Sequence, residues 1–110
     1  PNIYQVNAAG TNANIVGVDE TYNVALGNYN YTINGFDVGA TPTTGDVIVG
    51  PAGVPVSLDN SNTSDGRVVL TYASGGQVAT ITIEGLTTAQ DAAVFGPNSF
   101  NTVFGSGSLA

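Results

Sequence analysis

The sequence predicts a mostly β fold, an antiparallel β-sandwich or β-roll-like sheet with one or two short C-terminal helices, and three observations carry that expectation. Across Asn28 to Ile33, and again from Val68 to Tyr72 and Ala79 to Ile83, apolar and polar residues alternate with the two-residue period of a half-buried strand. Between the last two runs stands Ser74-Gly75-Gly76, where consecutive glycines supply the positive φ values that a tight hairpin turn needs. After Gly85-Leu86 the character changes. Thr87-Thr88-Ala89-Gln90 has the Thr-x-x-Gln form of a capping box, and good helix formers continue to Phe95.

In chain order, Ile3-Tyr4-Gln5-Val6 is a short β-type run on a small-residue tether, Asn7 to Asn12. Asn14 to Val18 and Tyr22 to Leu26 read as two strands separated by Asp19-Glu20, and Asn28 to Ile33 as a third. Gly35 to Gly45, rich in Gly, Pro and Thr, breaks the pattern. Asp46 to Val49 and Val54 to Leu58 resume it around Gly50-Pro51-Ala52-Gly53, where a second hairpin is expected. Asp59 to Gly66 is a polar loop leading into the hairpin formed by Arg67 to Ala73 and Gln77 to Glu84. Gly96-Pro97 should stop the first helix, with Asn98 or Ser99 capping a second through Phe104. Val94, Phe95, Phe100, Val103 and Phe104 are expected to pack these turns onto the sheet, leaving Gly105 to Ala110 as a flexible end. No repeat period of a solenoid or propeller stands out.

At 110 residues the chain fits a single β domain, residues 1–110, with 1–12 as N-terminal strand and tether and 87–110 as a helical C-terminal segment. Its 42% hydrophobic content is enough for one core. Charge is the unusual feature: Arg67 is the one basic side chain against eight acids, for a net charge of −7. Nucleic acid is excluded as a partner, since affinity for phosphate comes mainly from Lys and Arg. No run approaches the roughly 20 apolar residues needed to cross a bilayer as a helix, so membrane insertion is not expected. With no Cys there are neither disulfides nor thiolate sites, and with no His or Lys the usual acid–base and Schiff-base inventory is missing. An enzyme is therefore not expected, carboxylate pairs such as Asp37 with Asp46 or Asp59 with Asp65 being the remaining candidates. A surface of Asn, Thr, Ser and Gly points to an extracellular or bacterial cell-surface location.

Several phrases together resemble a known family. Tyr31-Thr32-Ile33-Asn34-Gly35-Phe36-Asp37, the Asp-Val-Ile-Val run at Asp46, Asp65-Gly66-Arg67-Val68-Val69-Leu70 and Thr80-Ile81-Thr82-Ile83-Glu84-Gly85-Leu86 are similar to the C-terminal region of type I secreted, RTX-like bacterial surface or matrix proteins. The likeness covers roughly residues 28 to 110. It implies a region that caps calcium-binding β-rolls and carries an uncleaved C-terminal export signal, here the amphipathic helical stretch ending in Leu-Ala. Either a leader has been removed ahead of Pro1 or export proceeds without one. The glycine-aspartate nonapeptides that bind calcium in such repeats are absent, so calcium does not transfer from the family.

Calcium is a candidate cofactor on other grounds. The loop Asp59-Asn60-Ser61-Asn62-Thr63-Ser64-Asp65-Gly66 is rich in the oxygen ligands a hard cation takes, although its spacing is not that of an EF-hand. Asp59, Asn60 and Asp65 lead the list, with Asp37 and Asp46 behind them; the competing reading is a solvated turn with Asx-type self-capping. Tyr4, Tyr22, Tyr29, Tyr31 and Tyr72 are candidates for an aromatic platform binding polysaccharide, against the commoner explanation of cross-strand packing. The leading expectation is a secreted structural protein that assembles into a homo-polymer: a filament, biofilm matrix or surface layer. Ile3, Tyr4, Gln5 and Val6 would form the exchanging strand, because an open sheet edge is a template for strand addition. The alternative is a carbohydrate-binding or adhesion module of a larger secreted protein.

Overall fold

Among the described residues, eight strands and two helices form in the order β1 (Asn2–Val6), β2 (Gly10–Ala13), β3 (Glu20–Val24), β4 (Tyr29–Asn34), β5 (Val47–Val49), β6 (Val56–Asp59), β7 (Val68–Ser74), β8 (Gln77–Glu84), α1 (Thr88–Ala93) and α2 (Pro97–Phe104). The computed structural model describes residues 2–13, 20–36, 45–105 and 107–110, the side chains of Asn2 and residues 11–13 excepted. The strand expected over Asn14 to Val18 and most of the Gly35 to Gly45 break lie outside these residues.

The mostly β class, the two sheets and the two short C-terminal helices agree with the sequence. One sheet has three strands in the order β1-β3-β5, and the other has five in the order β2-β4-β8-β7-β6. Consecutive strands up to β6 therefore alternate between sheets. Each pair β1–β2, β3–β4 and β5–β6 is an arch bridging the two layers, and the three share one strand direction.

That arrangement corrects two expectations. Among the described strands antiparallel pairing is confined to β6-β7-β8, whereas β1–β3, β3–β5, β2–β4 and β4–β8 pair in parallel. Alternation within a strand fixes which face is buried and leaves the partner open. Parallel neighbours need about a dozen or more connecting residues, which the crossing through the other sheet provides. Second, Asp46 to Val49 and Val54 to Leu58 do not make a hairpin, because β5 and β6 lie in different sheets. The turn between them, closed by Val54 N–H to the Pro51 carbonyl at 3.2 Å, carries the chain across the core. Gly50 begins this crossing. A Cβ there would collide with the ring of Tyr72, so the missing side chain lets β5 lie directly on β7.

The β7–β8 hairpin forms as its sequence predicts, with Gly75 and Gly76 at φ of 60° and 82°. Its inner face supplies Val68, Leu70, Tyr72, Ala79, Ile81 and Ile83, all buried. A fully buried large side chain of this kind contributes about 1.5 to 3 kcal/mol before entropy is subtracted. Sheet one adds Val6, Tyr22, Val24 and Ile48 to the same core.

The predicted capping box opens α1: Gln90 N–H donates to Thr87 Oγ1 at 3.2 Å, and Thr87 N–H to Gln90 Oε1 at 2.9 Å. Pro97 proves to be the first residue of α2, where its missing N–H costs nothing. Ser99 Oγ accepts from the amides of Phe95 and Gly96, both at 2.9 Å. Phe100 and Phe104 pack edge-on against Phe36, with ring centroids 5.5 and 5.2 Å away. Phe95 departs from expectation. It stays 79% exposed, because the chain leaves α1 there and turns outward into α2. The C-terminal end also differs from the flexible tail expected. Ser108 and Leu109 are buried, and Leu109 bridges Ile48 of β5 in parallel.

Candidate functional site

The strand singled out by sequence, Ile3 to Val6, lies in β1 at the outer edge of the three-stranded sheet. Its register sets Ile3, Tyr4, Gln5 and Val6 beside Thr21, Tyr22, Asn23 and Val24 of β3. Every second side chain points inward, so Val6 is 1% exposed, while Ile3 on the other face is 68% exposed. Tyr4 stacks on Tyr22 with ring centroids 5.3 Å apart and planes 17° from parallel.

Among the described residues, a latch at the Val6 carbonyl adds to this pairing. The Val6 carbonyl accepts from Ala25 N–H at 2.9 Å and from the Tyr29 hydroxyl at 2.9 Å. That hydroxyl also lies 2.5 Å from the Ala25 carbonyl, so a single proton serves two acceptors. Burial pushes the Tyr29 phenol above its ordinary value. Asn7 to Ala9, which follow, are exposed. β2 is likewise an edge, paired with β4 on one side. Among the described residues, the first arch thus supplies an outer strand to each sheet. The other outer strand of the small sheet, β5, has its free flank covered by the C-terminal residues.

The acidic candidates separate. Asp59, Asn60 and Asp65 lie in or beside one loop, and Asp46 stands at the start of β5 in the other sheet. Asp37 lies outside the described residues. Asn60 Nδ2 donates to the carbonyls of Asp91 and Val94 at 2.7 and 2.6 Å, satisfying the C-terminal end of α1. Asn62 Oδ1 accepts from the amide and hydroxyl of Ser64 at 3.1 and 3.0 Å, and Asp65 Oδ1 from Arg67 N–H at 3.1 Å. These are Asx turns, with Asp65 also 3.8 Å from the Arg67 guanidinium. No three acidic side chains converge as a metal-binding group among the described residues. Asp46 Oδ1 accepts from the buried Glu20 N–H at 3.0 Å, tying the start of β3 to that of β5. Burial first, then the neighbouring Glu20 and Asp46 charges, raise the Tyr22 phenol far above its ordinary range.

Sequence reasoning passed over Asp91, whose side chain is wholly buried and accepts from Gly66 N–H at 2.6 Å. Its place in the first turn after a capping box was the available signal, since carboxylates are favoured there. Together Asn60 and Asp91 fasten the polar loop to α1. The five tyrosines make no exposed platform: Tyr22 and Tyr72 are buried, and Tyr4, Tyr29 and Tyr31 are half-buried against the core. An open apolar groove of about 390 Å³, lined by Ala93, Phe95, Asn98, Ser99, Thr102 and Val103, lies between the helices. No helix among the described residues is long and apolar enough to cross a membrane.

Comparison of the chain with family models, with curated proteins and with solved structures finds no match in any of the three.

Proposed function

We propose that this protein is a non-enzymatic structural subunit of the bacterial cell exterior that self-assembles by exchange of its N-terminal strand. The observation that carries the reading is the placement of β1: among the described residues it is an edge strand with one deeply buried side chain, Val6, followed by an exposed connection and latched at the Val6 carbonyl. Exchange replaces each contact with an identical one from the next copy, so association costs little and is driven by concentration. The donor strand and the acceptor flank of β3 are different surfaces. Head-to-tail pairing of that type propagates as a fibre unless its rotation closes a ring.

Calcium has a supporting role in this reading. Subunits of net charge −7 repel one another on assembly, and a divalent cation between copies offsets that repulsion. The alternative of a polysaccharide-binding module finds no exposed aromatic face among the five tyrosines to favour it.

Electron microscopy and sedimentation of the purified protein, in calcium and then in chelator, test the reading against a variant lacking residues 1–7. Ordered polymers that vanish with the truncation support strand exchange. Monomers at every concentration and in both conditions would contradict it.

A further inference from the structure

We infer that the free flank of β5 is a second docking surface for β1 of another copy, kept closed by the chain's own Ser108 to Ala110. The inference rests on the proposal that β1 is a mobile donor strand, but it concerns a different acceptor and a different covering segment.

The tail sits where a strand would. Ile48 N–H donates to the Ser108 carbonyl at 2.8 Å, Ala110 N–H to the Ile48 carbonyl at 2.9 Å, and Gly50 N–H to the Ala110 carbonyl at 3.4 Å. This is the alternating pattern of a parallel ladder, in the same direction as β1 on β3 and β3 on β5. The small sheet already aligns Tyr4, Tyr22 and Ile48 in one row, and Leu109 extends that row by one residue. A β1 strand continuing the ladder therefore sets its Tyr4 beside Ile48, in the place of Leu109. Its Gln5 falls beside Val49, which is 37% exposed.

Ser108 and Ala110 hold the flank through these three hydrogen bonds. The tail offers one apolar side chain, Leu109, and its position depends on Asn101 of α2. Asn101 Oδ1 accepts from Leu109 N–H at 2.8 Å and from the Ser108 hydroxyl at 3.2 Å, and its Nδ2 lies 3.4 Å from the Leu109 carbonyl. β1 offers two inward side chains, Tyr4 and Val6. The tail prevails in the isolated chain because it is tethered, with an effective concentration on the order of millimolar, which a free strand at micromolar concentration does not match. Loss of the Asn101 clamp or of the tail removes that advantage. A strand added at β5 continues the parallel sheet across the boundary between copies, and such pairing propagates head to tail unless its rotation closes a ring.

The test measures binding of a fluorescent peptide of residues 1–7 to four proteins: the intact chain, a chain lacking residues 108–110, the Asn101→Ala variant, and a chain lacking residues 1–7. In the tail-less chain the flank of β3 remains occupied by its own β1, so binding there reports β5. The expected result is affinity at least about tenfold tighter for the tail-less chain than for the intact one, with Asn101→Ala in between. A Gln5→Cys peptide should form a disulfide with Val49→Cys in the tail-less background, which fixes the register. Asn101→Ala retains the full chain and decides the matter alone where the truncation unfolds. Equal, weak binding to the intact, tail-less and Asn101→Ala proteins overturns the inference. Binding to the chain lacking residues 1–7 under those same conditions leaves strand exchange standing. Binding to the tail-less chain with none to the chain lacking residues 1–7 instead overturns exchange at β3 and keeps the β5 surface.

Discussion

The antiparallel ladder β6-β7-β8 and the parallel arches built from β1 to β5 share one core but are specified in different ways. In the ladder, partners are close in sequence, and the Gly75-Gly76 turn fixes the register from Val68↔Ile83 to Ser74↔Gln77. In the arches, partners are further apart: Tyr4 meets Tyr22, Thr21 meets Val47, and Tyr29 of β4 meets Ala79 of β8. No local turn sets those registers. They follow from matching buried rows, and the outermost strand of such a stack is held from one side. A locally specified ladder makes one body of the fold, and the stack of arches places β1, the strand proposed to exchange, at its end.

The sharpest way to break this contrast is to cut into each region. Ile81→Ala, at the centre of the five-stranded sheet and wholly buried, should cost about 2 to 5 kcal/mol of global stability in a denaturant titration. Val6→Ala, equally buried but at the sheet edge, should cost about 1.5 kcal/mol, and that loss should appear as faster hydrogen exchange in β1 and β3 with β7 and β8 unchanged. If both substitutions lower the protection of all strands alike, the two regions are one cooperative unit and β1 is no freer than the rest.

Tyr29→Phe sharpens the comparison at the latch. Losing the hydroxyl bond to the Val6 carbonyl should weaken the hold on β1 by about 1 kcal/mol, read as faster exchange at the Ala25 amide and a lower protein concentration for polymer formation.

The smallest effect is expected at Tyr72. Its hydroxyl is buried with no hydrogen-bond partner among the described residues, so Tyr72→Phe should be neutral or slightly stabilising at pH 7. Burial, with a lesser contribution from Tyr29, pushes its phenol up to about 12, against an ordinary value of 10.0. The folded state therefore binds the proton more tightly than the unfolded state. The stability tied to the neutral phenol is complete below pH 10 and is lost as the pH rises through about 12. A pH series of melting temperatures checks this: Tyr72→Phe should lessen the alkaline decline without abolishing it, because Tyr22 and Tyr29 are shifted in the same direction.

The same contrast explains what could be read from the sequence. The hairpin, the capping box at Thr87 and the buried faces of β4, β7 and β8 rest on local chemistry and were legible. Parallel pairing was not, since period-two alternation in Asn28 to Ile33 is the same whether the neighbour is sequence-adjacent or 50 residues away in β8. The signal nearest to hand was Tyr4-Gln5-Val6 against Tyr22-Asn23-Val24, a Tyr-x-Val phrase repeated in strands that do pair in register. Phe95 looked like core because helical periodicity was extended past the turn that ends α1. The small tail residues looked mobile because their hydrogen bonds come from Asn101 and Ile48, contacts that composition does not announce. Within the polar loop, the Asx turns at Asn62 and Asp65 were foreseeable, whereas the role of Asn60 depends on a helix more than 30 residues further along.

The most direct test of the central claim uses the absence of native cysteine. Gln5 and Asn23 are cross-strand partners, so Gln5→Cys with Asn23→Cys places two thiols on β1 and β3 that can meet within one chain or between two. After oxidation of a concentrated sample and non-reducing electrophoresis, strand exchange predicts a ladder of covalent multimers whose share rises with protein concentration before oxidation. A single monomer band at every concentration would show β1 staying in its own sheet and contradict the account.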